Sequence, residues 1–373
     1  MSSVVASSSR IYVFVFSSFL FLLSFFIFTS AERTNPTAII LKPIIIMANT
    51  SIKNTIKLHT SKINKANILC IGDMILDHYI YGNVERMSPE APVPILSVVE
   101  EKIQLGGVGN VARNISSLGG KAIIISINGN DDSSKKIRKL IGFEKNVKGS
   151  FLKDLSYTTP IKMRFLNKSS HLLRVDKEEK PFSKKNKVSN KKVIDVVKKE
   201  IKFCDAIILS DYNKGLLTKS LIKQLVKLAK QNEKIIFADP KSKDFSIYEG
   251  VNFLTPNQKE LSEATSNYIN SEKDVTESAK EIIKKYKIEN ILVTRSEKGM
   301  TLVNNKKSKN FHTIAKEIYD VSGAGDTVVA VLALMIATGL NIETSTLLAN
   351  HAAGIVVGKR GTAVTTRNEM INF

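Results

Sequence analysis

The sequence predicts an α/β protein built on a mostly parallel central sheet. Three observations carry this. Short β-branched runs alternate with amphipathic stretches from Asn67 onward. Polar turn residues follow the ends of those runs. The last such turn, Asp320-Val321-Ser322-Gly323-Ala324-Gly325-Asp326, opens straight into an apolar helical run. This alternation makes βαβ units, and those make a parallel sheet covered on both faces. A chain of 373 residues with 43% hydrophobic residues can bury a sizeable core.

In chain order, an apolar stretch, Ile11–Phe28, comes first, with Arg10 before it and Glu32 and Arg33 after it. It fits a signal-anchor, or a start codon assigned too far upstream. The second reading is preferred, because Met47 opens a polar segment that leads directly into the first strand. The expected organisation is an apolar extension over 1–46, a polar linker over 47–66 and a folded domain over 67–373. A miscalled start implies a cytoplasmic protein; a retained anchor implies the same domain tethered to a membrane from the cytoplasmic side.

Strands are expected at Ile68–Ile71, Ala122–Ile127, Ala206–Leu209, Lys234–Ala238, Asn252–Leu254 and Asn290–Thr294. Helices are expected at Gly109–Leu118, Ser133–Ile141, Val193–Lys202, Thr218–Lys230, Gln258–Thr265 and Val275–Tyr286. Pro92–Ile103 and Thr159–Asp176 break the alternation and read as antiparallel strands, the second a hairpin turning near Asn167-Lys168-Ser169-Ser170. They are expected to form a small β lid from about residues 78–105 and 158–176, shielding a site from water. Thr327–Lys359 reads as two apolar helices with small residues for close packing.

Net charge is +20, from 55 Lys and Arg against 35 Asp and Glu. Such a charge suits nucleic acid or an anionic membrane, but the lysines are spread over the whole chain and read as surface solvation. The densest run, Lys177–Lys192, reads as a solvated loop and lacks the series of aromatics of a base-stacking platform. No nucleic-acid partner is expected. The two cysteines, Cys70 and Cys204, sit in apolar runs and read as reduced core thiols. The five histidines are scattered without metal-ligand spacing, which argues against a His/Cys zinc site.

The turn before Asp326 carries the chemistry. Two glycines leave amide N–H groups uncovered at the positive end of a helix, an arrangement that attracts phosphate. A carboxylate in that place, Asp326, needs a reason, and the best one is removal of a proton from a hydroxyl that attacks phosphorus. Gly106-Gly107-Val108-Gly109-Asn110 offers bare backbone and an amide to a polyhydroxylated ligand, or is a plain strand-to-helix turn. Asp77, shortly after Gly72-Asp73, could accept sugar hydroxyls or simply belong to a turn. Asn257 and Glu260 face one side of a first helical turn; they suit either a magnesium and phosphate site or a reciprocal helix cap. Asp239-Pro240-Lys241 and Ser210–Gly215 also fall just past strands. All of these motifs lie at one edge of one sheet, where an open α/β sheet binds its ligands.

Together the Gly106–Asn110 and Asp320–Asp326 motifs resemble the ribokinase-like (PfkB) carbohydrate kinases. Gly72–Asp77, Ser88-Pro89-Glu90-Ala91-Pro92-Val93-Pro94, Leu254–Glu260, Val293–Gly299 and Ala349–Gly361 narrow the likeness to kinases acting on D-glycero-β-D-manno-heptose 7-phosphate. The likeness covers roughly Asn67 to Glu369. It implies a three-layer α/β/α sandwich with a small β lid, using ATP, Mg2+ and, in some members, a monovalent cation. It implies Asp326 as general base and the amides of Gly323, Ala324 and Gly325 as anion hole. Asn257, Gln258, Lys259, Glu260 and Thr294 would lie at the ATP phosphates, with Glu260 reaching magnesium through water. Asp77, Gly106, Gly107 and Asn110 would hold the sugar, and Arg86, Lys162, Arg164 and Arg174 are candidates for its phosphate. Homodimers through the lid are also implied. Val108-Gly109 and Ser242 stand where the family pattern expects Ala-Ala and Gly, mild departures that leave the chemistry possible. No His-x-Gly-His nucleotidyltransferase motif occurs, so synthesis of ADP-heptose itself is not expected of this chain. An inert binding protein on the same fold would show a damaged base or anion hole, and Asp326, Gly323 and Gly325 are intact.

Overall fold

A computed structural model describes residues 52–373 apart from 169, 179–188 and 316. The apolar extension expected over 1–46, and with it the choice between anchor and miscalled start, lies outside the described residues, as does most of the lysine-rich run. The described elements in chain order are α1 (residues 52–65), β1 (Asn67–Gly72), β2 (Met74–Met87), β3 (Pro94–Gly107), α2 (Val108–Ser117), β4 (Lys121–Asn128), α3 (Asp132–Phe143), β5 (Val147–Lys153), β6 (Ile161–Asn167) and β7 (Ser170–Lys177). Then follow α4 (Asn190–Glu200), β8 (Ala206–Ser210), α5 (Lys219–Gln231), β9 (Ile235–Asp239), β10 (Phe253–Leu254), α6 (Gln258–Thr265), α7 (Glu272–Tyr286), β11 (Asn290–Thr294), β12 (Met300–Asn304), β13 (Ser308–Phe311), α8 (Ala324–Ala337), α9 (Ile342–Val356) and α10 (Arg367–Asn372).

Side-chain alternation along the central strands sets the layers. β1 sends Ile68 and Cys70 into one apolar core and Leu69 and Ile71 into the other. β8 repeats the division, with Ala206 and Ile208 on one side and Ile207 and Leu209 on the other. Strands buried on both faces read as continuous apolar runs, which is how they stand in the sequence. One core is closed by α1, α2, α8 and α9, the other by α4, α5 and α7. Among the described residues the main sheet runs β13-β12-β11-β10-β9-β8-β1-β4-β5. Its strands are parallel from β5 through to β11, and β12 and β13 are antiparallel. The α/β sandwich with a mostly parallel sheet is therefore the architecture of the chain.

A second sheet, β3-β2-β6-β7, stands where the lid was expected. Its β6–β7 hairpin turns at Lys168, which takes a φ of 56°. Four features differ from the sequence reading. The stretch expected as a polar linker is helical over 52–65, and Ile52, Ile56 and Ile63 are buried in the first core. Lysines between those isoleucines mask a plain helical period. β2 starts at Met74 and runs unbroken into the lid, despite the turn-forming Asp77, Gly82 and Asn83 within it. β5 at the sheet edge is only partly buried and carries Lys148 and Gly149. β12 and β13 form a short hairpin beyond the last parallel strand. Edge strands of this kind lack the apolar run by which buried strands are recognised.

Candidate active site

The chain leaves β1 toward β4 and β5, then returns to β8 on the other side of β1. That reversal is a topological switch point, where a crevice opens beyond the carboxyl ends of the strands. Asp73 follows β1, Asp211 and Tyr212 follow β8, Asp239 ends β9, Thr255 follows β10 and Thr294 ends β11. A cavity of about 140 Å3 lies there, lined by Asp211, Tyr212, Asp239, Thr255, Gly323 and Asp326 among others.

Asp326 sits in the first turn of α8 and is 2% exposed. Its two oxygens are each held by one donor. Asn110 Nδ2 donates to Oδ2 at 2.9 Å, and the Tyr212 hydroxyl donates to Oδ1 at 2.9 Å. Burial pushes its carboxyl up to about 6; the Asn110 and Tyr212 hydrogen bonds oppose that shift. A carboxylate with that proton affinity is ionised at neutral pH and still basic enough to draw a proton from a hydroxyl. Gly323 caps α8 with φ 78°, and a Cβ there would lie 2.5 Å from Asn110 Nδ2. Gly325 faces open space, with nothing within 4 Å of the place of a Cβ. Uncovered N–H groups at the start of a helix, beside Asp326, are suited to a phosphoryl group.

The expected sugar ligands come together. Asp77 on β2 is buried beside Gly106 on β3, whose absent side chain leaves room for it: a Cβ would meet Asp77 Oδ2 at 2.2 Å. Gly107 turns the chain into α2 with φ 58°, over the carbonyl of Asp73. Asn110 follows on α2, fully buried, and its Oδ1 has no partner among the described residues. A buried acceptor beside the Asp326 carboxylate is a place for a ligand hydroxyl.

The four cations do not share one fate. Arg164 donates to Asp77 Oδ1 at 2.7 Å with both side chains nearly buried, and it stacks on Tyr79 at 5.0 Å. Arg174 is paired with Asp176 on the exposed face of β7. Lys162 on β6 has no ion-pair partner among the described residues and lies 4.8 Å over the Tyr212 ring. Burial lowers its proton affinity, and nearby Asp77 opposes that effect. Arg86 is not brought to the site: it lies on the exposed end of β2, nine residues beyond Asp77, or roughly 30 Å of extended strand. The Ser88–Pro94 run forms the exposed tip of the same hairpin.

On the opposite side of the crevice, Asn257 caps α6 and accepts from the Glu260 amide, while Glu260 Oε2 accepts from the Asn257 amide at 2.9 Å. The reciprocal cap is real, and both residues also line the cavity. Glu260 Oε1 accepts from Lys241 at 2.8 Å. With both oxygens engaged, Glu260 fits contact with a cation through water rather than direct ligation. Among the described residues no group of three or more His, Cys, Asp or Glu is placed to hold a metal. Gln258 and Lys259, expected at the phosphates, do not line the cavity. Gln258 donates to the Ile269 carbonyl at 2.8 Å, and the Lys259 side chain is exposed beside Glu263. Adjacent residues on a helix point in different directions, so only one side of that first turn meets the crevice. Thr294 bridges to Asn257 and lines both this cavity and a second one of about 390 Å3. The second cavity is walled by Met300, Ile318, Val321, Val328 and Val357, with Gly325 at the junction. An apolar slot leading to a bare helix start suits the base and phosphates of a nucleotide.

Sequence reasoning left Tyr212, Asp239 and Lys241 without roles, although it singled out their loops. Asp239 is half-buried at the crevice, and its carboxyl is pushed well above the usual range, first by desolvation and then by Asp326 and Glu260. Asp73 is buried beneath the loop after β8, accepting from the amides of Tyr212 and Lys214 at 3.0 Å each.

A crevice with a buried carboxylate, a bare helix start and an apolar slot beside it, on this sheet order, defines a phosphoryl-transferring sugar kinase. The chain belongs to the pfkB family of carbohydrate kinases, whose model matches residues 65–368. It is 39% identical over 311 residues to the bifunctional protein HldE of Paramagnetospirillum magneticum, covering 83% of this chain and 63% of that protein. It is 40% identical over 313 residues to the bifunctional protein HldE of Rhodopseudomonas palustris, covering 83% of this chain and 63% of that protein. The chain thus spans less than two thirds of the length of these relatives. In fold it is similar to phosphofructokinase-2 from Escherichia coli in complex with potassium, with a TM-score of 0.69 at 20% identity over 82% of this chain and 97% of that one. It is likewise similar to Arabidopsis thaliana ribokinase complexed with ribose and ATP, with a TM-score of 0.65 at 17% identity over 82% and 98%.

Proposed function

We propose that this kinase transfers the γ-phosphoryl group of ATP to the C1 hydroxyl of D-glycero-β-D-manno-heptose 7-phosphate. The product is the 1,7-bisphosphate, on the way to ADP-heptose and the lipopolysaccharide core. The observation that carries the reading is the hydrogen bond between Asn110 and Asp326, which sets the sugar loop beside the base. The Ser88–Pro94 run and the relatives named HldE support heptose as the sugar. An anionic substrate is supported by Lys162, a half-buried cation facing Asp77 and Tyr212 with no ion-pair partner among the described residues.

In this reading Asp77 and the Asn110 side-chain Oδ1 receive sugar hydroxyls, and Asp326 takes the C1 hydroxyl proton as the oxygen attacks phosphorus. The amides of Gly323, Ala324 and Gly325 stabilise charge on the group in flight. Catalysis is mostly positioning and electrostatics. Magnesium, when bound, screens the phosphate oxygens; Glu260 would hold it through water, with Asn257 and Thr294 at the phosphates. A monovalent cation is compatible with this reading. A homodimer through the lid is supported by exposed Val98, Val99 and Leu173 on the second sheet and Val93 at its hairpin tip. Among the described residues no helix is long and apolar enough to cross a membrane. A cytoplasmic enzyme is the proposed setting, because the reaction draws on cytosolic ATP; membrane contact arises only if the N-terminal apolar segment is retained.

The test is ATP consumption across a panel of free sugars and sugar phosphates. Selective turnover of heptose 7-phosphate supports the reading. Preference for fructose, ribose or a keto-deoxy sugar acid would replace the substrate and leave the kinase.

A further inference from the structure

Tyr212 touches the base, yet the assignment of Asp326 as base does not by itself explain it. We propose that Tyr212 is a positioning residue that fixes the orientation of the Asp326 carboxylate and ties it to the lid through Lys162. This rests on Asp326 being the base.

Three contacts support it. The phenol O–H donates to Asp326 Oδ1 at 2.9 Å while Asn110 holds the other oxygen, so the carboxylate plane has two fixed points. The tyrosine is itself anchored: its amide donates to Asp73 Oδ2 at 3.0 Å, in the loop that the Asp73 carboxylate gathers through the amides of Tyr212, Lys214 and Leu216. Its ring lies under the Lys162 ammonium at 4.8 Å, and Lys162 belongs to β6 of the lid sheet. The structure thus joins a lid strand, an aromatic ring and the base in one line of contacts.

The charges around Asp326 give this line a purpose. Asp77 faces it from β2 and disfavours its ionised form, while Asp326 in turn pushes up the carboxyl of Asp239 at the end of β9. Lys162 from β6 and the neutral donors Asn110 from α2 and Tyr212 favour the ionised form of Asp326. Asp211, Lys241 and Glu260 line the same cavity. Burial and the surrounding carboxylates hold the Tyr212 phenol well above its ordinary range, so it remains a donor at every working pH. Only with the lid seated does the base have Lys162 beside it as well as its two hydrogen bonds. A lid moved off the core withdraws Lys162 from the ring and raises the proton affinity of Asp326.

Tyr212→Phe keeps the ring and removes only the O–H; Lys162→Met keeps the stem and removes the charge. Both are compared with wild type and Asp326→Asn in kcat, KM and the pH profile of kcat, with thermal unfolding as a check on folding. The sugar phosphate is whichever one the wild type turns over, so failure on heptose 7-phosphate counts against the substrate alone. We expect Tyr212→Phe to lower kcat by roughly tenfold to a hundredfold, with KM for ATP within about twofold. Its acidic limb should move up by about half to one pH unit, because a donor to the carboxylate is lost. Lys162→Met should move the limb the same way, and the double variant less than the sum of the two. Wild-type kcat and an unmoved limb in Tyr212→Phe would overturn the positioning role. Additive shifts in the double variant would overturn the link to the lid. If Asp326→Asn keeps its turnover, the base assignment itself fails, which is a different result from an inert Asp326→Asn beside a normal Tyr212→Phe.

Discussion

Asn110 Nδ2 donates to Asp326 Oδ2 across 2.9 Å, joining the first turn of α2 to the first turn of α8. A second bond in the same seam, from the Thr327 hydroxyl to Asn114 Oδ1 at 2.9 Å, lies one helical turn along α2. Two glycine-rich turns from distant parts of the sequence are thereby held as one surface. In the proposed reading one serves the sugar and the other the phosphoryl group. Their fixed separation lets a buried carboxylate act on a hydroxyl placed by its neighbour.

Turnover and stability should move in opposite directions on mild acidification. Asp326 and Asp73 are both held near 6 by burial, above their ordinary value of 3.8. Their folded forms bind protons more tightly than the unfolded chain, so ionisation works against the fold at neutral pH, and that penalty lifts as pH falls from above 6 toward 4. Glu343 is held down at about 2 by Lys307 and Lys309, so its contribution is lost only below about 4.5. We expect kcat to fall with unit slope below pH 6 while the melting temperature at pH 5.5 equals or exceeds that at pH 7.5. Kinetics and melting curves across that range check both signs.

Gly323 and Gly325 should respond differently to alanine. Gly323→Ala places a methyl group 2.5 Å from Asn110 Nδ2 at a φ of 78°, so both stability and kcat should fall, the former by about 1–3 kcal/mol. Gly325→Ala meets nothing in the protein and lies in the first turn of a helix. Its melting temperature should hold or rise, while kcat/KM for ATP falls by roughly tenfold or more, because the methyl group enters the space proposed for phosphate. Chemical denaturation and steady-state kinetics separate the two. Equal kinetic damage without a stability difference would contradict the geometry.

The parts of this site legible in the sequence were those where one residue type has few reasons to be present. A carboxylate after Gly-Ala-Gly at a helix start is such a place, and so is a glycine pair entering an apolar helix. Doubly buried strands announced themselves as apolar runs, as β1 and β8 did. What stayed hidden depended on direction or on partners. Gln258 and Lys259 share a turn with Glu260 but point elsewhere. Arg164 and Arg174 looked like free cations until Asp77 and Asp176 were seen beside them. Tyr212 looked like an ordinary loop residue, because its role lies in a contact with a residue more than a hundred positions away.

Glu260 caps α6 and, in the proposed reading, also holds magnesium through water; one substitution separates the two. In Glu260→Gln the side-chain oxygen can still accept from the Asn257 amide, so the helix cap is kept and melting should shift by no more than about 2 °C. The charge proposed to face a water-held cation is lost. The magnesium concentration giving half-maximal rate should rise by roughly tenfold. An unchanged magnesium dependence would leave Glu260 as a cap alone.

One substitution bears most directly on the whole account. Asp326→Asn keeps the shape of the side chain; Asn110 can turn its unpartnered oxygen toward the new amide, and the Tyr212 hydroxyl still has a partner. Single-turnover rates of γ-phosphoryl transfer from ATP to the accepted sugar phosphate should fall by at least about a thousandfold, with sugar binding kept within roughly threefold and the fold at least as stable. A variant that transfers phosphate at close to the wild-type rate would show that the hydroxyl gives up its proton elsewhere, and that this carboxylate is not the base.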